Sequence, residues 1–224
     1  MLYLIATPIG NREDITLRAL RVLKEVDFVL AEDTRKTGQL LKYHGIEKKP
    51  FYSFHEHNER RRIDAVIHEL RKGKTAALLT NAGCPLISDP GYGLVCECIA
   101  YQIPVTAVPG PSAVLNALML SGLPCDRFIF LGFLPRKPGA RAKTLEAFTG
   151  TPMTLVLFES PYRIEKLLGE IQRIFGEVRC ALVREMTKVH EEVIRGTPAQ
   201  LKNINDNAGK PRGEYTVVIE INGK

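Results

Sequence analysis

The sequence contains no tryptophan and no apolar segment long enough to span a lipid bilayer. Its five cysteines are odd in number and lack the spacing of a disulfide framework, which disfavours a disulfide-rich secreted domain and favours a reduced, cytosolic setting. The first residues, MLYLIATPIG, have no basic segment before their apolar run, so they do not form a secretory signal. We therefore expect a cytoplasmic protein with no membrane-bound segment.

Two nucleotide-binding signatures are also missing. The first predicted strand is not followed by the pattern G-x-G-x-x-G, and the phosphate-binding pattern G-x-x-x-x-G-K-[ST] occurs nowhere in the sequence. These absences disfavour hydride transfer and nucleotide hydrolysis. The net charge of +6, from 31 basic and 25 acidic residues, fits a polyanionic partner such as RNA about as well as it fits a general surplus for solubility.

The order of apolar runs predicts an α/β protein of two domains. Short apolar runs alternate with segments of helical periodicity in residues 1–121, which predicts a mostly parallel sheet with helices on both faces. The segment SGLPCDR, residues 121–127, interrupts this pattern, so we place a domain boundary after residue 121. Closely spaced strands in residues 122–224 predict a second α/β domain with a mixed sheet.

Capping residues predict where several helices begin. Asp14, Asn58 and Thr197 are suitable N-caps, and Ser160 with Pro161 marks a further helix start. The segment LPRKPGARAK, residues 134–143, is basic and turn-rich and carries no helix prediction.

Three loops that follow predicted strands of the first half carry glycine or proline where a helix is about to begin. They are ATPIGNRED (6–14), TNAGCPLISDPG (80–91) and VPGPSA (108–113). In an open α/β sheet, loops beyond the carboxyl ends of the strands form the ligand crevice, and glycine lets the backbone approach a ligand closely. A tight turn that the fold requires would explain any one of these loops, but three at one edge predict a binding site.

The segment AEDTR, residues 31–35, follows another predicted strand and brings two carboxylates to the same rim. Glu32 or Asp33 could accept a proton from a substrate hydroxyl, or either could pair with Arg35 and hold the loop. We favour the structural role for Asp33 and leave the role of Glu32 open.

The segment FHEHNERRR combines His55 and His57 with Arg60, Arg61 and Arg62. The histidines lack a credible third ligand nearby, so a metal site is disfavoured. Aromatic, histidine and arginine side chains together suit stacking on a base and pairing with phosphate. A solvated start of a helix explains the same residues equally well.

Seven segments taken in order resemble a known family. They are LYLIATPIGNREDITLRALRVLKEVD, AEDTRKTGQLL, the glycine and proline loop at 80–91, VPGPSA, GFLPRK, FESPYRI and REMTKVHEEVIRG. Together they are similar to the 16S rRNA cytidine 2′-O-methyltransferase branch of the tetrapyrrole methylase superfamily, and the similarity covers essentially the whole chain.

The resemblance implies a fold, a cofactor and a substrate. It implies two α/β domains with S-adenosylmethionine in the cleft between them, a homodimer, and a cytidine ribose 2′-hydroxyl of 16S rRNA in the small ribosomal subunit as methyl acceptor. The residues implied to bind the cofactor are Pro8, Ile9, Ala82, Gly83, Cys84, Pro85, Ile87, Ser112, Ala113, Phe158 and Met186.

A ribose hydroxyl as methyl acceptor suggests specific roles for the polar residues identified above. Methyl transfer from a sulfonium requires no metal, and a ribose hydroxyl benefits from a base, for which Glu32 is the candidate. The candidates for contacts with RNA are His55, His57, Arg60, Arg61, Arg62, Arg136 and Lys137.

Two features depart from the family pattern. The second loop usually reads Ser-Asp-Ala-Gly-Thr-Pro, whereas residues 80–85 here read Thr-Asn-Ala-Gly-Cys-Pro. Many members also continue into a helical extension, whereas this sequence ends at Lys224, so the extension is either absent or removed, which bears on RNA affinity. These departures keep open a second function, RNA or ribosome binding without turnover, and methylation of a tetrapyrrole ring carbon is the alternative among enzymes.

Overall fold

The computed structural model describes residues 1–47, 49–207 and 213–221, without the side chains of residues 203–207. The chain divides into two compact units, Met1–Ser112 and Ala113–Lys224. The helix that begins at Ala113 thus groups with the second unit, whereas the sequence pattern places the boundary after residue 121. No helix of the described part combines the length and the apolar character needed to cross a membrane.

The first unit is built on a five-stranded parallel sheet. Its strands are β1 (Leu2–Ile5), β2 (Phe28–Ala31), β3 (Phe51–Ser53), β4 (Ala76–Leu79) and β5 (Val105–Val108). They lie in the order β3-β2-β4-β1-β5. The helices between them are α1 (Leu17–Glu25), α2 (Thr34–Tyr43), α3 (Glu59–Arg71) and α4 (Tyr92–Ala100), and a short 3-10 turn, Arg12–Asp14, precedes α1.

Helices cover both faces of this sheet, as the near-continuous apolar runs of its central strands require. Successive strand residues point to opposite faces, so Val29 joins the buried cluster under α1 and α2, whereas Leu30 joins the cluster under α3 and α4. Strands β2 and β4 consist only of buried residues. The rigid sheet therefore fixes the positions of the loops that leave its carboxyl edge.

The second unit is built on a mixed five-stranded sheet. Its strands are β6 (Phe128–Phe133), β7 (Met153–Glu159), β8 (Cys180–Arg184), β9 (Glu192–Gly196) and β10 (Tyr215–Ile221), in the order β6-β7-β10-β8-β9. Its helices are α5 (Ala113–Ser121), α6 (Pro138–Glu146), α7 (Ile164–Phe175) and α8 (Pro198–Asn207). Only the pair β6–β7 is parallel, and the other three pairs are antiparallel. The predicted fold class, a parallel and a mixed α/β sheet, is confirmed.

One predicted N-cap, Asp14, is wrong, and a second, Asn58, occupies the N-cap position without a side-chain bond to the helix. Helix α1 is capped by Thr16, whose Oγ1 accepts a hydrogen bond from the Ala19 N–H at 3.1 Å, whereas Asp14 lies in the preceding 3-10 turn. Asn58 does precede α3, but its side chain accepts a hydrogen bond from the His55 N–H at 2.9 Å and makes no bond to the helix. The Asn58 side chain therefore stabilises the chain that enters α3 rather than the helix itself.

Other helix boundaries also differ from the sequence pattern. Residues 138–143 of the turn-rich segment belong to α6, which begins at Pro138, since proline is well tolerated in the first turn of a helix. Helix α7 begins at Ile164, after the predicted start at Ser160 and Pro161. The cap at Thr197 is confirmed, because its Oγ1 accepts a hydrogen bond from an N–H in the first turn of α8 at 3.5 Å.

Candidate functional site

The three loops rich in glycine and proline meet at one edge of the first sheet. Loop 1 (residues 6–11) follows β1, loop 2 (residues 80–91) follows β4, and loop 3 (residues 109–112) follows β5. Strands β4, β1 and β5 are neighbours and run parallel, so their carboxyl ends bring the loops side by side. This is the edge at which open α/β sheets bind ligands.

Backbone hydrogen bonds join loop 1 to loop 2. The Thr7 N–H donates to the Gly83 carbonyl oxygen and the Gly83 N–H donates to the Thr7 carbonyl oxygen, both at 2.9 Å. The buried Thr7 hydroxyl donates to the Thr80 carbonyl oxygen at 3.1 Å. These three bonds hold the start of loop 2 against loop 1, so the two loops are preorganised.

Loop 3 is fixed to the other two loops by a thiol and by close packing. The Cys84 Sγ donates to the Pro111 carbonyl oxygen at 3.4 Å. Burial raises the pKa of the Cys84 thiol, which keeps it protonated at neutral pH and therefore able to donate. A Cβ at Gly110 would lie 2.9 Å from the Ala6 Cβ, so only glycine lets loop 3 approach loop 1 this closely. The Cys84 thiol thus supplies the hydrogen-bond donor that joins loop 2 to loop 3.

Loop 2 turns sharply at Gly83. Its φ of +79° lies in the left-handed region, which side chains with a Cβ rarely adopt. A Cβ there would meet only the Ile9 Cγ2, at 3.7 Å, so the requirement for glycine comes from the backbone conformation and not from lack of space.

Two polar atoms of loop 2 are buried without a hydrogen-bond partner among the described residues: the Thr80 Oγ1 and the Asn81 Oδ1. A buried polar atom left unpaired costs about 1–3 kcal/mol, so a polar ligand at this edge would restore a lost interaction. Together with the close backbone approach, these atoms fit a polar nucleoside, and therefore the predicted cofactor.

The predicted cofactor residues fall into two groups. Those of the first unit all lie in the three joined loops: Pro8, Ile9, Ala82, Gly83, Cys84, Pro85, Ile87 and Ser112. Those of the second unit are Ala113, the first residue of α5, Phe158 in β7, and Met186, which follows β8. The structure thus brings the first group together, and the role of both groups stays a prediction.

The two carboxylates after β2 have different environments. Asp33 caps α2, accepting hydrogen bonds from the backbone N–H groups of Arg35 at 2.9 Å and Lys36 at 3.4 Å, and these bonds hold its pKa below the usual value. Glu32 is half-buried, and its Oε2 accepts a hydrogen bond from the Asn81 N–H of loop 2 at 3.1 Å. The Asp33 carboxylate is therefore occupied in capping α2, whereas the Glu32 carboxylate lies beside loop 2 of the candidate site.

The candidate RNA-binding residues occupy two places. His55 and His57 follow β3, with ring centroids 6.0 Å apart, and Arg60, Arg61 and Arg62 are exposed in the first turn of α3. Arg136 and Lys137 are exposed after β6 in the second unit. Within the first unit, the strand order puts Glu32 between the basic segment after β3 and the loop after β4.

Sequence reasoning missed Thr7, Gly110 and Pro111, which hold the loops together. Each lies within a segment recognised as a candidate loop, but their pairing depends on β1 lying between β4 and β5. The available signal for Thr7 was a threonine close to the end of a predicted core strand, since a hydroxyl that is buried there requires a partner.

Comparison with known proteins agrees with this geometry. Residues 1–202 match the model of the family described as Tetrapyrrole (Corrin/Porphyrin) Methylases. A Thermotoga maritima protein named Ribosomal RNA small subunit methyltransferase I is 46% identical over 97% of this chain and 97% of its own length. A protein of the same name from Halalkalibacterium halodurans is 44% identical over 100% of this chain and 76% of its own length.

Solved structures agree on the fold. The Thermus thermophilus uroporphyrin-III C-methyl transferase, solved in complex with S-adenyl homocysteine, superposes with a TM-score of 0.66 at 20% identity, covering 98% of this chain and 96% of its own. The resemblance recognised in the sequence is thereby confirmed: the chain belongs to the tetrapyrrole methylase family.

Proposed function

We propose that this protein transfers a methyl group from S-adenosylmethionine to the ribose 2′-hydroxyl of a cytidine in the RNA of the small ribosomal subunit. Family membership supports methyl transfer, and the names of the relatives support small-subunit rRNA as the acceptor. The observation that carries the proposal is the order along one sheet edge: preorganised loops, then Glu32, then a basic and aromatic segment.

The chain's own residues supply binding and orientation. Bound S-adenosylmethionine would provide an electrophilic methyl group on its sulfonium sulfur. Loops 1, 2 and 3 would hold the donor through backbone groups and through the Thr80 and Asn81 side chains. Because the loops are already joined, they need little further ordering when the donor binds. A donor held in a fixed position can be oriented toward the acceptor hydroxyl, and correct orientation of two reactants lowers the barrier by roughly 7–11 kcal/mol in favourable cases.

Glu32 is the group best placed to accept the proton of the acceptor hydroxyl. One carboxylate oxygen, Oε2, holds the Asn81 N–H, and the Glu32 N–H donates to the Leu79 carbonyl oxygen at 3.3 Å, which fixes the residue beside loop 2. In the described part of the chain the other oxygen, Oε1, has no hydrogen-bond partner. It could accept a proton without release of the loop.

Glu32→Gln is expected to lower kcat by roughly 10²–10⁴-fold while the affinity for S-adenosylhomocysteine stays unchanged. Glutamine keeps an oxygen for the Asn81 N–H but is not a base. Glu32→Ala removes both functions and should also weaken donor binding. Single-turnover methylation and calorimetry measure the two effects, and full turnover by Glu32→Gln would exclude Glu32 as the base.

The proposed reaction is tested with labelled S-adenosylmethionine and small ribosomal subunits that lack the modification. We expect label in the rRNA, on a cytidine ribose by mass mapping, and none in tetrapyrrole precursors. Label in the precursors would favour ring-carbon methylation. No transfer, together with no thermal stabilisation by S-adenosylhomocysteine, would favour a binding module without turnover.

The proposal includes a homodimer, supported by an apolar stripe on α4. Tyr92 and Ile99 are 74% and 66% exposed, and exposed Cys96 lies between them, so all three share one helix face. We expect Ile99→Glu to shift the protein from dimer to monomer in sedimentation velocity. Leu17→Glu, at an isolated position 86% exposed on α1, is the control and should leave the dimer intact. A wild-type monomer would contradict the proposal.

A further inference from the structure

Three loops of the second unit also share one sheet edge. Strands β7 and β8 are both antiparallel to β10, and β6 is parallel to β7, so β6, β7 and β8 run in the same direction. The residues after these three strands therefore emerge on the same side. Two large rings are exposed there: Phe133, at 59%, ends β6, and Tyr162, at 82%, follows β7.

The loop that carries Tyr162 is anchored by a buried carboxylate. The Glu159 side chain is fully buried, and its Oε1 accepts a hydrogen bond from the Ser160 N–H and forms an ion pair with the Arg163 Nη2, both at 2.6 Å. The Arg163 N–H donates to the Ser160 carbonyl oxygen at 2.9 Å. Tyr162 thus lies between anchored residues, with its backbone fixed and its ring in solvent.

Phe133 is held by neighbouring rings. Its ring centroid lies 5.5 Å from that of Phe158, which in turn lies 4.9 Å from that of Phe130. Phe133 and Phe158 are also paired across the parallel strands. The exposed ring of Phe133 is therefore the outer member of a packed aromatic group.

The free charges near these rings comprise two cations and two exposed carboxylates, Glu191 and Glu214, which form no ion pair in the described part of the chain. Arg136 and Lys137 follow Phe133 directly, are exposed, and have no carboxylate partner in the part of the chain that the structure describes. Three acidic residues of this edge are neutralised by ion pairs: Glu159 with Arg163, Glu185 with Lys188, and Glu192 with Arg184. The edge therefore combines exposed rings with unpaired cations, as surfaces that bind single-stranded nucleic acid do.

We infer that Tyr162 stacks on an unpaired base of the RNA substrate, with Phe133 as a second stacking ring and Arg136 and Lys137 in contact with the adjoining phosphates. This inference rests on the proposed function, because it requires an RNA substrate. Stacking recognises any base by its flat face, so the site adds affinity and contributes little to the choice of nucleotide. A fixed ring loses little conformational freedom on binding, which favours an anchored tyrosine.

Tyr162→Ala is expected to weaken the binding of small ribosomal subunits by roughly 5- to 150-fold, the range found when a stacking ring is removed. In methylation assays the KM for subunits should rise while kcat changes little. Tyr162→Phe keeps the ring and should bind like the wild type. Tyr101→Ala, a tyrosine 51% exposed in the first unit, is the matched control and should have no effect.

Two further measurements test whether the Tyr162 ring contacts the cofactor or a second copy of the chain instead of RNA. Calorimetry with S-adenosylhomocysteine and sedimentation velocity should give wild-type values for Tyr162→Ala. A loss of donor affinity would assign the ring to the cofactor, and dissociation to monomers would assign it to a second copy of the chain. Either result would overturn the inference, as would unchanged subunit binding.

Failure of the inference is distinguishable from failure of the proposed function. If the wild type methylates small subunits and Tyr162→Ala does so with the same KM, only the stacking role is wrong. If the wild type neither binds nor methylates them, both are wrong.

Discussion

Replacing Gly83 by valine is expected to lower the affinity for S-adenosylhomocysteine by roughly 100-fold or more. Valine avoids the φ of +79° that loop 2 requires, so the peptide groups on either side rotate. The paired hydrogen bonds between Thr7 and Gly83 then lose their alignment, and the loop leaves its place beside loop 1. Isothermal titration calorimetry measures the affinity directly.

The matched control for this substitution is Gly45→Val. Gly45 follows α2 in the same unit, has a φ of +63°, and has no atom within 4 Å of the position of an added Cβ. Valine at Gly45 therefore causes the same kind of backbone strain as valine at Gly83, but outside the three loops of the candidate site. We expect Gly45→Val to lower the melting temperature and to bind S-adenosylhomocysteine like the wild type. Unchanged affinity of Gly83→Val would show that loop 2 does not form the donor site, and equal loss in both variants would assign the loss to backbone strain in general.

The fold was largely predictable because its strands are short apolar runs between segments of helical period. The elements that were missed have weak signals for physical reasons. Strand β3 lies at the sheet edge and is only three residues long, so its sequence FYS is too short to form a recognisable apolar run. Helix α6 has only Arg141 and Leu145 buried, and one of these is charged.

The candidate site was predictable as a set of loops but not as a set of contacts. Glycine and proline after a strand mark a loop wherever it lies, and this signal is local. The bond from the Cys84 thiol to the Pro111 carbonyl oxygen depends on the order of three strands, which no local pattern records. The same holds for the bond between Glu32 and Asn81, which distinguishes Glu32 from Asp33 as the residue that adjoins loop 2.

The second unit contains a buried ion pair between two helices whose disruption should have a large effect on stability. The Arg141 Nε and Nη2 donate to the two carboxylate oxygens of Glu170 at 2.6 and 2.7 Å, joining α6 to α7, and the Arg141 side chain is only 3% exposed. These hydrogen bonds raise the pKa of Arg141. Arg141→Met is expected to lower the free energy of unfolding by about 3–5 kcal/mol, because it leaves a largely buried carboxylate unpaired.

The same two helices provide the control. Arg173 of α7 pairs with Glu146 of α6 at 3.4 Å, but both side chains are more than half exposed, so Arg173→Met should cost less than about 1 kcal/mol. Urea denaturation followed by circular dichroism compares the two variants. Replacing Arg141 and Glu170 together by methionine should recover most of the stability, since no charge is then left unpaired. If the double variant is as unstable as Arg141→Met, the loss comes from packing of the arginine stem and not from the unpaired carboxylate.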